Sequence, residues 1–271
     1  RLLAAAVTIY GVSAMIDLIT GLGFFYSVLL FGAFTVLYDV LGGIRAVIWS
    51  DVIQMTILAS VLGYLLWLLS ADAGGLSVML QALPEDRLAA LDFGHHGLGD
   101  GQDFAFWPML IGGFFLYVSY SGCDQSQVQR QLCASSQADG QTILLLNGLL
   151  RFPLVLLYCL LGVGIAVYAS SHAEFVASLP QQNGQPNYNM ALPLLFLLEL
   201  PDGVKGIAVV GVLAAAMSSL DSVINSLSAV TMEDFVKRCG WISFDSDHAE
   251  IRWSKALTAV WGTMAIALAF W

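Results

Sequence analysis

Apolar runs of about 20 residues recur along the chain, separated by short polar breaks, and each is long enough to cross a ~30 Å hydrocarbon layer as a helix. Seven such spans are predicted, at 2–20, 24–41, 44–69, 105–122, 141–169, 204–235 and 254–271. Strand-like alternation over ten-residue segments is absent, so the pattern predicts an all-α bundle rather than a barrel. Two long connections, 70–104 and 170–203, read as extracytoplasmic loops of a single transmembrane domain covering 1–271. The first contains AGGLSVMLQALPEDRLAALDFG, expected to form an interfacial helix; the second contains a short apolar run at 191–200, expected to lie along the surface. The chain starts and stops inside apolar runs and reads as an interior piece of a longer protein, truncated at both ends.

One span breaks the apolar rule. In AAAMSSLDSVINSLSAVTMEDF (214–235), Ser218, Ser219, Asp221, Ser222, Asn225 and Ser226 fall within an arc of roughly 160° on a helix. Leu220, Val223, Ile224 and Leu227 fill the other side, which lipid can face. Small residues pack membrane helices closely, and serines bond their own backbone, so a stripe of Ser and Ala alone needs no ligand. Asp221 and Asn225 are not needed for packing. An inward carboxylate at membrane depth usually marks an ion or substrate pathway, and hydroxyls with carbonyls suit a hard cation such as sodium.

Composition fixes the class. The chain is 58% hydrophobic and 11% charged, with a mean hydropathy of +0.77, against about 25% charged in a soluble domain. A net charge of −10 without a basic patch does not suggest nucleic acid as a partner. Cys123, Cys133, Cys159 and Cys239 lack metal-ligand spacing and read as free thiols. The four histidines lie in loops, and no nucleophile–base pair or phosphate loop points to an enzyme.

Positive charges orient the bundle. Alternating the spans places Arg1, Arg45, Arg130, Arg151, Lys237, Arg238, Arg252 and Lys255 on one side and only Arg87 and Lys205 on the other, which makes the first side cytoplasmic. Arg151 then falls near a cytoplasmic edge, and no arginine takes a clear midplane position. Counting inward from Lys205 puts Ser218 roughly 20 Å deep, about 10 Å from the cytoplasmic edge. Asp51, in GGIRAVIWSDVIQ, reaches the same depth from the opposite direction. It is either a cation or proton ligand or the partner of Arg45 at the membrane edge. Asp17 is a further intramembrane acid with no partner evident from sequence. In the fourth span, Gly112, Gly113 and Gly122 admit a helix break. Tyr117, Tyr120, Asp124 and Gln125 then offer ring surface and hydrogen bonds; the alternative is a helix end with interfacial tyrosines.

Three segments, YDVLGGIRAVIWSDVIQ at 38–54, DQSQVQR at 124–130 and AAAMSSLDSVINSLSAVTMEDF at 214–235, resemble the sodium:solute symporter family in order and spacing. The resemblance implies a LeuT-like five-plus-five inverted-repeat bundle of the plasma or inner membrane, with a sodium gradient driving solute uptake by alternating access. On it, Ser218 and Ser219 match the paired hydroxyls of the main sodium site, and Ala215 matches the backbone carbonyl one turn earlier. Asp51, Asp221 and Ser222 fall on a second cation or proton site, with Asp221 standing where the pattern has a hydroxyl. Tyr120 matches an aromatic gate at the inner side of the substrate cavity, with Gln125 beside it. Sodium is the implied coupling ion, with no organic cofactor; the implied partners are a small solute and the lipid bilayer. A membrane sensor fused to a signalling domain and a proton-coupled carrier are the alternative functions.

Overall fold

The computed structural model describes residues 1–83, 92–97, 99, 105–242, 244 and 246–271, with the side chains of 43–47 outside that description. The expected pairing of Asp51 with Arg45, the position of Arg87 and the second half of the expected interfacial helix therefore lie outside the described residues. Two compact units make up the chain, residues 1–61 with 179–271, and residues 62–178.

The first unit is built on α1 (Leu2–Thr20), the start of α2 (Phe24–Asp72), α8 (Ala191–Glu199), α9 (Asp202–Val230) and α10 (Asp247–Ala269). Its core joins Ile9 and Ile16 of α1, Phe31 of α2, Leu220 and Ile224 of α9 and Ala265 of α10. The side of α9 expected to face lipid is thus partly a packing face: Leu220 and Ile224 are buried between neighbouring helices because α1 and α10 both lie against α9.

Two glycines set how closely α2 and α10 approach. A Cβ on Gly32 would stand 2.5 Å from Ile266 Cγ1, and one on Gly262 would overlap Val36 Cγ2. Each glycine accepts the branched side chain found four residues beyond its counterpart, so the helices interlock as antiparallel neighbours. Van der Waals contact of this kind drives helix association where lipid removes the hydrophobic incentive.

Asp17 has a local task. Gly21 ends α1 in the left-handed conformation (φ 66°), and Asp17 Oδ1 accepts a 2.9 Å hydrogen bond from the Gly23 N–H. The carboxylate fastens the tight turn into α2. The short apolar helix α8 departs from expectation: Leu195 and Phe196 are fully buried, and the helix packs against α1 and α9 instead of lying on the surface. Nine residues are too few to span a membrane, but apolar side chains on most of its circumference find cover against two longer helices. Before it, Asn183 and Gly184, both at positive φ, turn a two-residue hairpin of β1 (Gln181–Gln182) and β2 (Gln185–Pro186). Asn-Gly is the pair that such a turn selects.

The second unit holds α3 (Leu76–Gln81), α4 (Phe106–Cys123), α5 (Gln125–Gln131), α6 (Gln137–Ser171) and α7 (Ala173–Ala177). Ser136 caps α6 reciprocally: its hydroxyl donates to Asp139 Oδ2 and accepts from the Asp139 N–H, a capping box. Of the interfacial helix expected in 70–104, α3 is the part that is described.

Among the described residues, five helical stretches are long and apolar enough to cross a membrane: Leu2–Thr20, Phe24–Gly42, Ile48–Asp72, Gln137–Ser171 and Asp202–Lys237. The other two expected spans are α4 and α10. Asp247, Glu250, Arg252 and Lys255 open α10, so only its later turns are uniformly apolar.

Replacing Gly262 with alanine forces Val36 aside and should cost about 1–3 kcal/mol, read as a lower thermal-unfolding midpoint of the full-length protein. Gly11→Ala, where a Cβ meets nothing within 4 Å, should leave the midpoint unchanged or raised.

Candidate functional site

The site grows from a fold in α2. Along a straight helix, residues 38 and 50 stand about 18 Å apart, beyond the reach of a tyrosine and a serine together. Yet the Tyr38 hydroxyl hydrogen-bonds the Ser50 hydroxyl. The long helix therefore doubles back between them, giving the two arms Phe24–Gly42 and Ile48–Asp72 expected as separate spans.

Both arms flank α9. A Cβ on Gly211 would stand 3.3 Å from Ile57 Cγ2 and 3.6 Å from Leu58 Cα, so the second arm lies close at that level. At the other end of α9, the Asn225 amide donates to Asp39 Oδ1 on the first arm. Ser50, Ile53 and Gln54 of the second arm line one cavity with Ala214 and Met217 of α9, so residues near 50 lie near this stretch of α9. The second arm and α9 are antiparallel on these two anchors. Seven residues back from Leu58 is Asp51, and seven forward from Gly211 is Ser218, each step about 10 Å along its helix. Asp51 and Ser218 thus stand at one level.

On α9 itself, the hydroxyls are arranged by the helix. Ser219 Oγ donates to the Ala215 carbonyl at 3.3 Å, and Ser222 Oγ donates to the Ser218 carbonyl at 2.9 Å. Bonding four residues back settles each hydroxyl proton on the backbone and leaves oxygen lone pairs outward. The Ala215 carbonyl, Ser218 Oγ and Ser219 Oγ therefore share one turn, with Ser219 exposed and Ser218 partly buried. Three oxygens are about half of the six or so that a hard cation takes, and this donor set fits such an ion. Among the described residues, no group of three or more His, Cys, Asp or Glu side chains converges to hold a metal. Asp221 is fully buried and Ser222 partly so. Ser226, also in the polar arc, is buried and donates to the Val223 carbonyl of its own helix.

In the second unit, α4 runs unbroken through Gly112 and Gly113 and ends at Cys123. The break falls at Asp124, which takes an extended conformation and caps α5 by accepting from the Ser126 N–H at 3.0 Å. Short polar side chains bond a helix start more readily than a helix interior, so the break comes at Asp124, two residues after Gly122, and not at Gly112 or Gly113. Tyr120 Oη accepts from Gln127 Nε2 at 2.8 Å. Gln125 is exposed at the start of α5. The Arg151 guanidinium sits over the Tyr117 and Tyr120 rings, 5.1 Å and 5.8 Å from their centroids.

Asp39 is the residue that sequence reading passed over. It is only 2% exposed, and its Oδ2 has no hydrogen-bond partner among the described residues. An acid within a membrane span was the available signal. A cavity of about 480 Å³ lies among Ile16 of α1, the arms of α2 and α9, mostly apolar, with Tyr38, Ser50 and Gln54 as its polar lining.

A model of the sodium:solute symporter family matches residues 2–271. The chain is 29% identical over 271 residues to human sodium-coupled monocarboxylate transporter 1, covering 99% of this chain and 43% of that relative. It is 29% identical over 276 residues to the sodium-dependent multivitamin transporter of Oryctolagus cuniculus, covering 97% of this chain and 40% of the relative. The chain thus spans about two fifths of the length of the curated relatives it matches. A solved Na⁺-coupled sialic acid symporter, in a substrate-bound outward-open state described as revealing a novel Na⁺-site, superposes with a TM-score of 0.85 at 23% identity. That match covers 100% of this chain and 56% of the symporter chain, and shows that the fold is part of a LeuT-like symporter bundle.

Asn225→Ala strands the buried Asp39 carboxyl and should cost about 1.5–3 kcal/mol in the full-length protein. The double variant Asp39→Ala with Asn225→Ala should recover part of that loss, and a double-mutant cycle on unfolding midpoints measures the coupling.

Proposed function

The chain belongs to the sodium:solute symporter family, a family of multi-pass membrane transporters and not of enzymes, and from that premise we propose that the full-length protein couples sodium entry to uptake of a small organic solute. The observation that carries this reading is the α9 turn at 215–219, where a backbone carbonyl and two hydroxyls share one face. Ala215, Ser218 and Ser219 hold part of a sodium shell in this reading. Sodium bound there moves with the gradient, and the solute shares its access state. Binding one stabilises the conformation that the other needs, so the two affinities are linked.

Asp51, Asp221 and Ser222 form the second cation or proton site in this reading. Its support is the common level of Asp51 and Ser218 on antiparallel helices and the burial of Asp221. Tyr120 and Gln125 border the solute path, at the place where α4 gives way to α5. The long loops 70–104 and 170–203 face outside, in one transmembrane domain that the whole chain contributes to. Relatives are named for monocarboxylates, vitamins and iodide, so likeness to them singles out no one substrate. All of these are transporters, which favours symport over a sensor.

In proteoliposomes holding the full-length protein, uptake should require an inward sodium gradient and persist without a pH gradient. Ser218→Ala and Ser219→Ala should each raise the half-saturating sodium concentration at least tenfold. Uptake equally fast in sodium-free buffer rules the proposal out.

A further inference from the structure

Arg151 carries an unused recognition surface. Its helix, α6, begins at Gln137, and the eight residues Ile143–Leu150, polar only at Asn147, separate the arginine from the polar start of the helix. That distance is about 12 Å. Phe152 to Val167 continue the apolar run on the other side. The arginine therefore stands within the apolar span, not near its edge as the charge pattern alone suggested. Charged side chains at such depth are rare and functional by default.

Its surroundings decide what that function is. Tyr117 and Tyr120 lie three residues apart on α4 and present their rings to the guanidinium. Gln127 holds the Tyr120 hydroxyl by a hydrogen bond, so that ring is fixed from behind. Rings attract the cation through their faces, but they accept nothing from the N–H fork at its edge. Among the described residues, no carboxylate pairs with the Arg151 guanidinium. A planar fork, stacked and half-buried, is the arrangement that receives a carboxylate through two parallel hydrogen bonds.

We propose that Arg151, positioned by Tyr117 and Tyr120, binds the carboxylate of the transported solute, so that the substrate class is a small organic acid. This rests on the symport reading, in which Tyr120 borders the solute path. A monocarboxylate paired with sodium crosses as a neutral unit, and the arginine compensates the anion's charge while it is away from water.

The test is a thermal-shift titration of the purified full-length protein with propionate and benzoate, each against its neutral amide, in sodium chloride and in choline chloride. A carboxylate should raise the unfolding midpoint in sodium where its amide does not. Arg151→Gln should weaken carboxylate binding at least tenfold while leaving the shift produced by sodium alone intact. Arg151→Lys, which keeps the charge but loses the fork, should fall between the two and serves if the glutamine variant does not fold. Failure of both carboxylates to outperform their amides, or Arg151 variants that bind them as tightly as the parent, overturns the proposal. Absence of any sodium shift in the parent protein counts instead against the symport reading, and carboxylate discrimination that depends on Arg151 then still supports the anion site.

Discussion

A polar group inside an apolar span must find a partner along its own helix or across to the next, and this constraint organises the first unit. Asp39 and Asn225 meet across two helices, Tyr38 and Ser50 across the two arms of α2, and Ser219 and Ser222 within α9. Left unmade, any of these bonds would cost more than it gains when made, because no water stands ready to replace it. The bonds therefore fix which face of α9 meets which arm. Packing follows them, with Gly211 bringing the second arm close and Gly32 and Gly262 admitting α10.

Function uses the same constraint in reverse. On that turn the Ser219 hydroxyl is held by the Ala215 carbonyl, but weakly, since the bond is 3.3 Å long. A hard cation competes well for oxygens held in that way. The antiparallel second arm brings a carboxylate to the level of the turn, and the buried Asp221 adds another two residues on. Carboxyl groups at this level suit the cation site we propose there. In the second unit the charge is opposite: Arg151 offers a fork to an anion.

Much of this was legible beforehand. Hydropathy located every long helix, because a membrane asks for about 20 apolar residues whatever their order. The fold-back of α2 followed from the two apolar runs around Gly42 and Gly43. Short elements were harder. The run at 191–200 is apolar on most sides, and only the presence of α1 and α9 decides that it is buried. Asp17 looked like an intramembrane acid because its partner is a backbone N–H, which sequence does not advertise. Of Gly112, Gly113 and Gly122, all read as admitting a helix break, only Gly122 lies near it, and Asp124 caps the helix that follows. Asp39 and Arg151 were readable as charges within apolar runs, yet their meaning came only from Asn225 and the two tyrosines opposite them.

The proposed sodium coupling rests on the oxygens of α9. Equilibrium binding of radioactive sodium to the purified full-length protein, compared among the parent, Ser219→Ala and Ser226→Ala, addresses them directly. Both serines lie in the same polar arc and bond their own helix, but Ser219 is exposed with a 3.3 Å bond, whereas Ser226 is buried with a 2.8 Å bond. Sodium affinity should fall at least tenfold in Ser219→Ala and stay at the parental value in Ser226→Ala. Equal affinities in all three proteins would contradict a sodium site on this turn.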